Sequence, residues 1–253
     1  MVNFACFSTS PHRLQQIINP APRLRHQGTP KVDHAPLQFL AGGFHEFMKT
    51  APGDETLALA FASSLAARAS GESGKGLCFC GAASDTQERG ALYGPGLTAL
   101  GIEPEQMLMV TAAKEKDLLW ALEEAVASGA FGAVVGSLGD KERLYGFSAS
   151  RRLKLRVAAS RTPLFLLRHR SNGGATAAQG RWTVSALPSR SEGKHASHAL
   201  LGPPRLRLTL ERMGGLPPQS WEMGFDGKGD FHKAALPEDR PPRKVGKQRR
   251  QAA

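Results

Sequence analysis

Cysteine is scarce in this chain of 253 residues: Cys6 sits in a polar stretch, and Cys78 and Cys80 lie two apart in a strand-like run. A structural zinc site needs four ligands at suitable spacing, and no such set is present, so buried thiols in a reducing compartment are expected. Long apolar runs are missing too, which excludes a membrane-spanning helix, and the first residues lack the basic-then-apolar order of a secretion signal. Together these absences predict a soluble, cytoplasmic protein with no membrane partner and no metal.

A complete phosphate loop is also lacking. The stretch GESGKG, Gly71 to Gly76, resembles the end of G-x-x-x-x-G-K-[ST], but Ala69 occupies the first glycine position and Gly76 follows Lys75 without a hydroxyl to hold magnesium. It follows the helical run TLALAFASSLAARA, Thr56 to Ala69, and precedes the strand-like LCFC, Leu77 to Cys80, which reverses the strand-to-helix order of such a loop. A Gly/Ser-rich turn from helix to strand is predicted there.

What is abundant is positive charge, and it is unevenly placed. The net charge is +11, yet residues 42–140 sum to −7 and residues 141–253 to +15. Such asymmetry points to a polyanion or an acidic protein as partner of the second half. Residues 1–36 read as an irregular arm containing one short helix, RLQQII, and residues 226–253 as a disordered basic tail. The last 14 residues hold Arg240, Arg243, Lys244, Lys247, Arg249 and Arg250 and no acid, so this tail is expected to recruit a partner.

Between the tails, residues 37–225 alternate strand-like and helical patterns. FHEFM, LCFC, MLMV, FGAVVG and PLFLLR read as strands. Helices are expected from Thr56, over LTALGI, over KEKDLLWALEEAVASG with Leu118, Leu119, Leu122 and Val126 inward, and over SASRRLKLRVAAS with Leu153 and Val157 inward. Alternation of this kind predicts an α/β fold with a mostly parallel sheet covered by helices on both faces. RWTVSAL, RLRLTLER and SWEMGF, joined by Gly-Pro and Gly-Gly turns, are expected to add antiparallel strands at one edge. His45 and Glu46, adjacent on a strand, point to opposite faces and are expected to be structural.

Six strings in order, FLAGGFHEF, LYGPGLTALGIEPEQMLMV, DLLWALEEAVASGAFGAVVG, SASRRLKLRVAASRTPLFLLR, RWTVSALPS and GPPRLRLTLERMGG, resemble the ImuA family, the RecA-like accessory proteins of bacterial damage-induced mutagenesis. The likeness covers roughly residues 37 to 225. It implies a RecA-like core and moves the phosphate-loop position to KTAPGDET, Lys49 to Thr56. There Lys49 and Asp54 replace glycines, Glu55 replaces the lysine, and Thr56 alone matches. Two acids at a helix N-terminus suit the helix dipole in place of a bound anion. The metal-holding acid is missing at Gly136 and Ser137, and Ala82, Ala83 and Ser84 stand where a catalytic acid belongs.

The resemblance therefore implies a protein that binds no cofactor and catalyses nothing: an adaptor in SOS-induced translesion synthesis. Its implied partners are a Y-family polymerase-like protein of the ImuB type, an error-prone C-family DNA polymerase, and RecA, on the nucleoid of a damaged cell. Single-stranded DNA is a further expected ligand, through Arg151, Arg152, Lys154, Arg156, Arg168 and Arg170; the loop after PLFLLR supplies charge but no aromatic for stacking. Two other classes compete. A DNA-dependent ATPase of the RecA type is opposed by Glu55 and Gly136, and a damage-induced cell-division inhibitor fits the positive tail less well.

Overall fold

The computed structural model describes residues 36–139, 142–169, 174–189 and 202–233. After a 3-10 turn, Leu37–Leu40, the chain forms β1 (Phe44–Lys49), α1 (Asp54–Ser73), β2 (Leu77–Ala82), α2 (Ala83–Arg89), α3 (Gly94–Ala99), a second 3-10 turn (Pro104–Gln106), β3 (Met107–Ala112), α4 (Glu115–Ala127), β4 (Ala133–Ser137), α5 (Phe147–Ser160), β5 (Leu164–Arg168), β6 (Gly180–Leu187), β7 (Arg205–Met213), β8 (Gln219–Phe225) and β9 (Phe231–Lys233). The nine strands of the described residues form one sheet in the order β3-β2-β4-β5-β1-β6-β7-β8-β9. From β3 to β6 neighbours run parallel; from β6 to β9 they run antiparallel. This is the mixed α/β architecture expected, and it is compatible with a RecA-like core.

Alternation along each strand sends side chains to two hydrophobic layers. One layer unites Phe47, Leu77, Val135 and Phe165 with Phe61, Ala62 and Leu65 of α1 and Leu97 of α3. The opposite layer unites Phe44, Cys78, Cys80, Val134 and Leu166 with Leu118, Leu122 and Val126 of α4 and Leu153 and Val157 of α5. Helix α4 begins with Glu115 and Asp117, which favour its positive end, and the chain turns away at Gly129, whose φ of +62° lies in the left-handed region. The two buried cysteines are free thiols with sulfurs 3.7 Å apart. Hydrogen bonding to Cys80, together with burial, pushes the Cys78 thiol far above its ordinary pKa.

Three sequence expectations shift. RWTVSAL lies parallel to β1 (His45↔Gly180, Lys49↔Val184) and antiparallel only to β7. Its alternating burial, with Trp182 and Val184 inward, reports one covered face and carries no information on direction. Helix α1 extends through Ser73, so Gly71, Glu72 and Ser73 are helical and the turn is made at Gly74, φ +67°. Within the segment assigned to the tail, Phe231–Lys233 forms β9, and Phe231 packs edge-on against Phe61. The N-terminal arm with RLQQII, the C-terminal stretch from residue 234, and Arg170 lie outside the described residues.

Candidate functional site

In open parallel sheets, ligands bind beyond the carboxyl ends of the strands. Here that edge gathers the loop after β1, the start of α2, and the ends of β4 and β5.

The loop after β1 is tied down by its own acids. Asp54 is buried; its Oδ2 accepts from the Ala51 N–H and its Oδ1 from the Ala186 N–H, each at 2.9 Å, which fastens the loop to β6. Glu55 Oε2 accepts from the Gly53 N–H at 2.8 Å and lies 3.7 Å from Lys49 Nζ, while its Oε1 lies 3.4 Å from Arg89 Nε. Desolvation pushes the Glu55 carboxyl up, but the N–H groups of Glu55 and Gly53, with Lys49 and Arg89, outweigh it and hold its pKa below the ordinary value. Backbone donors and cations that could cradle a phosphate are thus engaged by a carboxylate of the chain itself. Thr56 is exposed beside them.

The end of β4 corrects one assignment. A Cβ on Gly136 would come within 2.6 Å of Leu166 and 2.8 Å of Leu122, so this residue faces the core and the position could not carry a metal-binding acid without displacing them. Ser137 faces the strand ends instead. Its hydroxyl donates to Asp85 Oδ2 at 2.7 Å and lies 3.2 Å from His169 Nε2, which is itself 3.4 Å from the same Asp85 oxygen. Arg89 Nη1 holds the other Asp85 oxygen at 2.9 Å. Burial raises the Asp85 carboxyl, but hydrogen bonds with His169 and Ser137 and the charges of His169 and Arg89 bring it below its ordinary pKa. One histidine nitrogen serves both partners, and the serine donates directly to the acid. That is not the in-line serine–histidine–acid order that activates a nucleophile. The cluster binds α2 to β4 and β5.

Arg168 is the clearest departure from expectation. It is 4% exposed and cannot meet DNA. Its guanidinium bonds Glu142 through Nε at 3.0 Å and through Nη2, lies 3.4 Å from Glu46, and stacks over the Tyr145 ring at 4.9 Å. Glu46, fully buried on β1, also accepts from Tyr145 Oη, from Thr176 Oγ1 at 2.9 Å and from Arg181 Nε at 3.3 Å. Two acids brought beside β5 require a cation there, which is why the arginine turns inward. Burial pushes the Glu142 carboxyl up despite Arg168, and burial followed by Glu46 pushes the Tyr145 hydroxyl well above the ordinary tyrosine range. On the other face of β1, His45 bonds the Gly42 carbonyl at 2.7 Å and Trp182 Nε1 at 3.3 Å, with burial lowering its pKa to about 4. The structural roles expected of His45 and Glu46 hold.

The remaining basic candidates stay outside. Arg151, Arg152, Lys154 and Arg156 are exposed on α5, and Arg152 Nε reaches Glu123 of α4 at 2.8 Å. Exposed apolar groups beside them were missed in the sequence: Trp120, Leu144, Phe147 and Leu155 are 59%, 59%, 55% and 61% exposed. Trp120 could have been found, because it falls off the Leu118, Leu119, Leu122, Val126 stripe. Among the described residues no group of His, Cys, Asp and Glu could hold a metal ion, and no helix is long and apolar enough to cross a membrane.

No family model matches the sequence. Protein ImuA of Caulobacter vibrioides, found in two strains, is 30% identical over 192 residues, spanning 71% of this chain and 73% of that protein. The chain belongs to the ImuA family. Membership agrees with the six strings that pointed to the family.

Proposed function

We propose that this ImuA-family chain is a non-catalytic accessory protein of damage-induced mutagenesis, a scaffold that brings error-prone polymerase components together. The observation that carries the reading is the similarity to Protein ImuA. The self-engaged loop supports it, since Asp54 and Glu55 occupy the donors a nucleotide would need. In this reading the partners are the Y-family polymerase-like protein of the ImuB type, the C-family polymerase and RecA, all in the cytoplasm at damaged DNA. The exposed cations of α5 are the place where an acidic protein or a DNA backbone attaches.

Deleting the chain from its cell, inducing DNA damage and scoring mutation frequency is the test. A fall in induced mutations restored by the wild-type gene is expected. Unchanged mutagenesis, or a division defect in its place, overturns the proposal.

A further inference from the structure

Of the four exposed apolar residues, Trp120 and Leu144 face a groove beside the basic helix, and Phe147 and Leu155 lie on that helix itself. Phe147, Arg151 and Leu155 recur at four-residue intervals along α5, and Arg152 and Arg156 form the adjoining row. Across the helix pair, Trp120 of α4, Leu144 and Arg152 line a cavity of about 390 Å³ floored by Leu119 and Ala149. The rim is preorganised. Both Glu115 carboxylate oxygens accept from the Arg143 N–H, and Oε1 also accepts from the Leu144 and Tyr145 N–H groups, at 2.8–3.0 Å, which pins the loop and holds Leu144 out. The Arg152–Glu123 pair locks α4 to α5 beside it.

We infer that this groove binds an amphipathic helix of a partner protein, one that places Leu or Phe side chains between Trp120 and Leu144 and turns Asp and Glu toward Arg152 and the flanking Arg151 and Arg156. The inference rests on the accessory-protein reading and names the chemistry of one partner. Charge complementarity argues for it, because α5 contains four basic residues and no acid. Apolar side chains at helical spacing are what such a groove accepts. Nucleic acid fits less well: Trp120 is the one aromatic face in the lining, Leu144 beside it offers none for a second base, and Glu123 stands in the groove wall. A second copy of this chain, docked about a two-fold axis, would set the same cations against one another. The acids on α4 do not neutralise the groove. Glu123 is paired, and Glu124, one residue on, is turned about 100° from it around the helix, away from α5.

The test uses the full chain and a synthetic amphipathic peptide with Leu and Phe on one face and Glu and Asp on the other, its binding followed by anisotropy. Trp120→Ser and Leu144→Ser should each weaken binding at least tenfold without moving the thermal midpoint, because both side chains are exposed. Arg151→Glu with Arg156→Glu should abolish binding, and a peptide whose acids are exchanged for Lys should restore it. Peptide binding indifferent to these changes overturns the inference. So does an oligothymidylate that binds through Trp120 and displaces the peptide, which would assign the groove to nucleic acid. Induced mutagenesis reports separately: unchanged mutation frequency on deletion of the chain defeats the accessory reading even where the peptide binds, and loss of peptide binding alone defeats only the groove.

Discussion

Replacing Arg168 by Ala separates a DNA contact from a structural cation. The change would leave Glu46 and Glu142, both buried, facing each other without their shared guanidinium. Removing one partner of a buried pair costs about 3–5 kcal/mol, because the remaining charge stays desolvated. Lost packing over Tyr145 adds to this. Against a typical domain stability of about 5–15 kcal/mol, a large fraction of the total is at stake. At roughly 2–4 °C per kcal/mol for a domain of this size, the thermal midpoint should fall by about 6–20 °C. The loss should also depend on pH. Burial already raises the Glu142 carboxyl above its ordinary pKa, and without Arg168 the cation that opposes this is gone, so the native state binds more protons than the unfolded state. The deficit is then largest at neutral pH and shrinks as pH falls through the raised Glu142 value. Thermal and urea unfolding of wild type, Arg168→Ala and the double variant Arg168→Ala with Glu142→Gln, at neutral pH and near pH 5, measure all of this. The double variant should recover part of the loss. A midpoint unchanged in Arg168→Ala, or a fully stable variant that has lost DNA binding, would refute the reasoning.

Four further outcomes are expected. Calorimetric titration of ATP with magnesium should show no binding to wild type or to Glu55→Lys, because Asp54 still closes the loop onto β6; micromolar affinity in either refutes the self-engaged loop. Asp54→Ala removes two charge-assisted hydrogen bonds, each worth about 1.5–3 kcal/mol, and should lower unfolding stability by roughly 3 kcal/mol or more, whereas a change below about 1 kcal/mol would show that the fastening is unimportant. Asp85 has a native pKa depressed below its unfolded value, so its stabilisation is present above the unfolded value and lost as pH falls through the native one; Asp85→Asn should flatten that acid limb of the pH–stability curve, and an unaltered limb counts against the cluster. Truncation before Pro237 should leave the thermal midpoint nearly unchanged while weakening partner or DNA binding in a salt-sensitive way, and a large loss of stability would show that the tail belongs to the fold.

The parts of the fold legible in the sequence are those that rest on periodicity. Leu118, Leu119, Leu122 and Val126 marked the buried face of α4, and Leu153 and Val157 that of α5, because helical spacing alone selects them. Strand direction was not legible: RWTVSAL alternates equally well in either orientation, and only the return past Thr176 and Ala178 makes it parallel to β1. Charge was legible as composition and misleading as location. Arg168 looked like one more member of a basic run until β1 and residue 142 supplied two acids from distant parts of the chain. The degenerate loop was readable residue by residue, yet the engagement of Glu55 by Arg89 joins residues with no sequence signal between them.

The central position of β1 bears on how the chain is made. Among the described residues it is the first strand synthesised, and both its neighbours, β5 and β6, come late; the Glu46–Arg168 contact alone spans 122 residues. At ribosomal speeds of about 5–20 residues per second, β1 and the helix α1 that follows it wait on the order of ten seconds with two open strand edges. During that interval the nascent segment is a natural client for chaperones, and any fragment ending before Val184 leaves β1 incompletely paired.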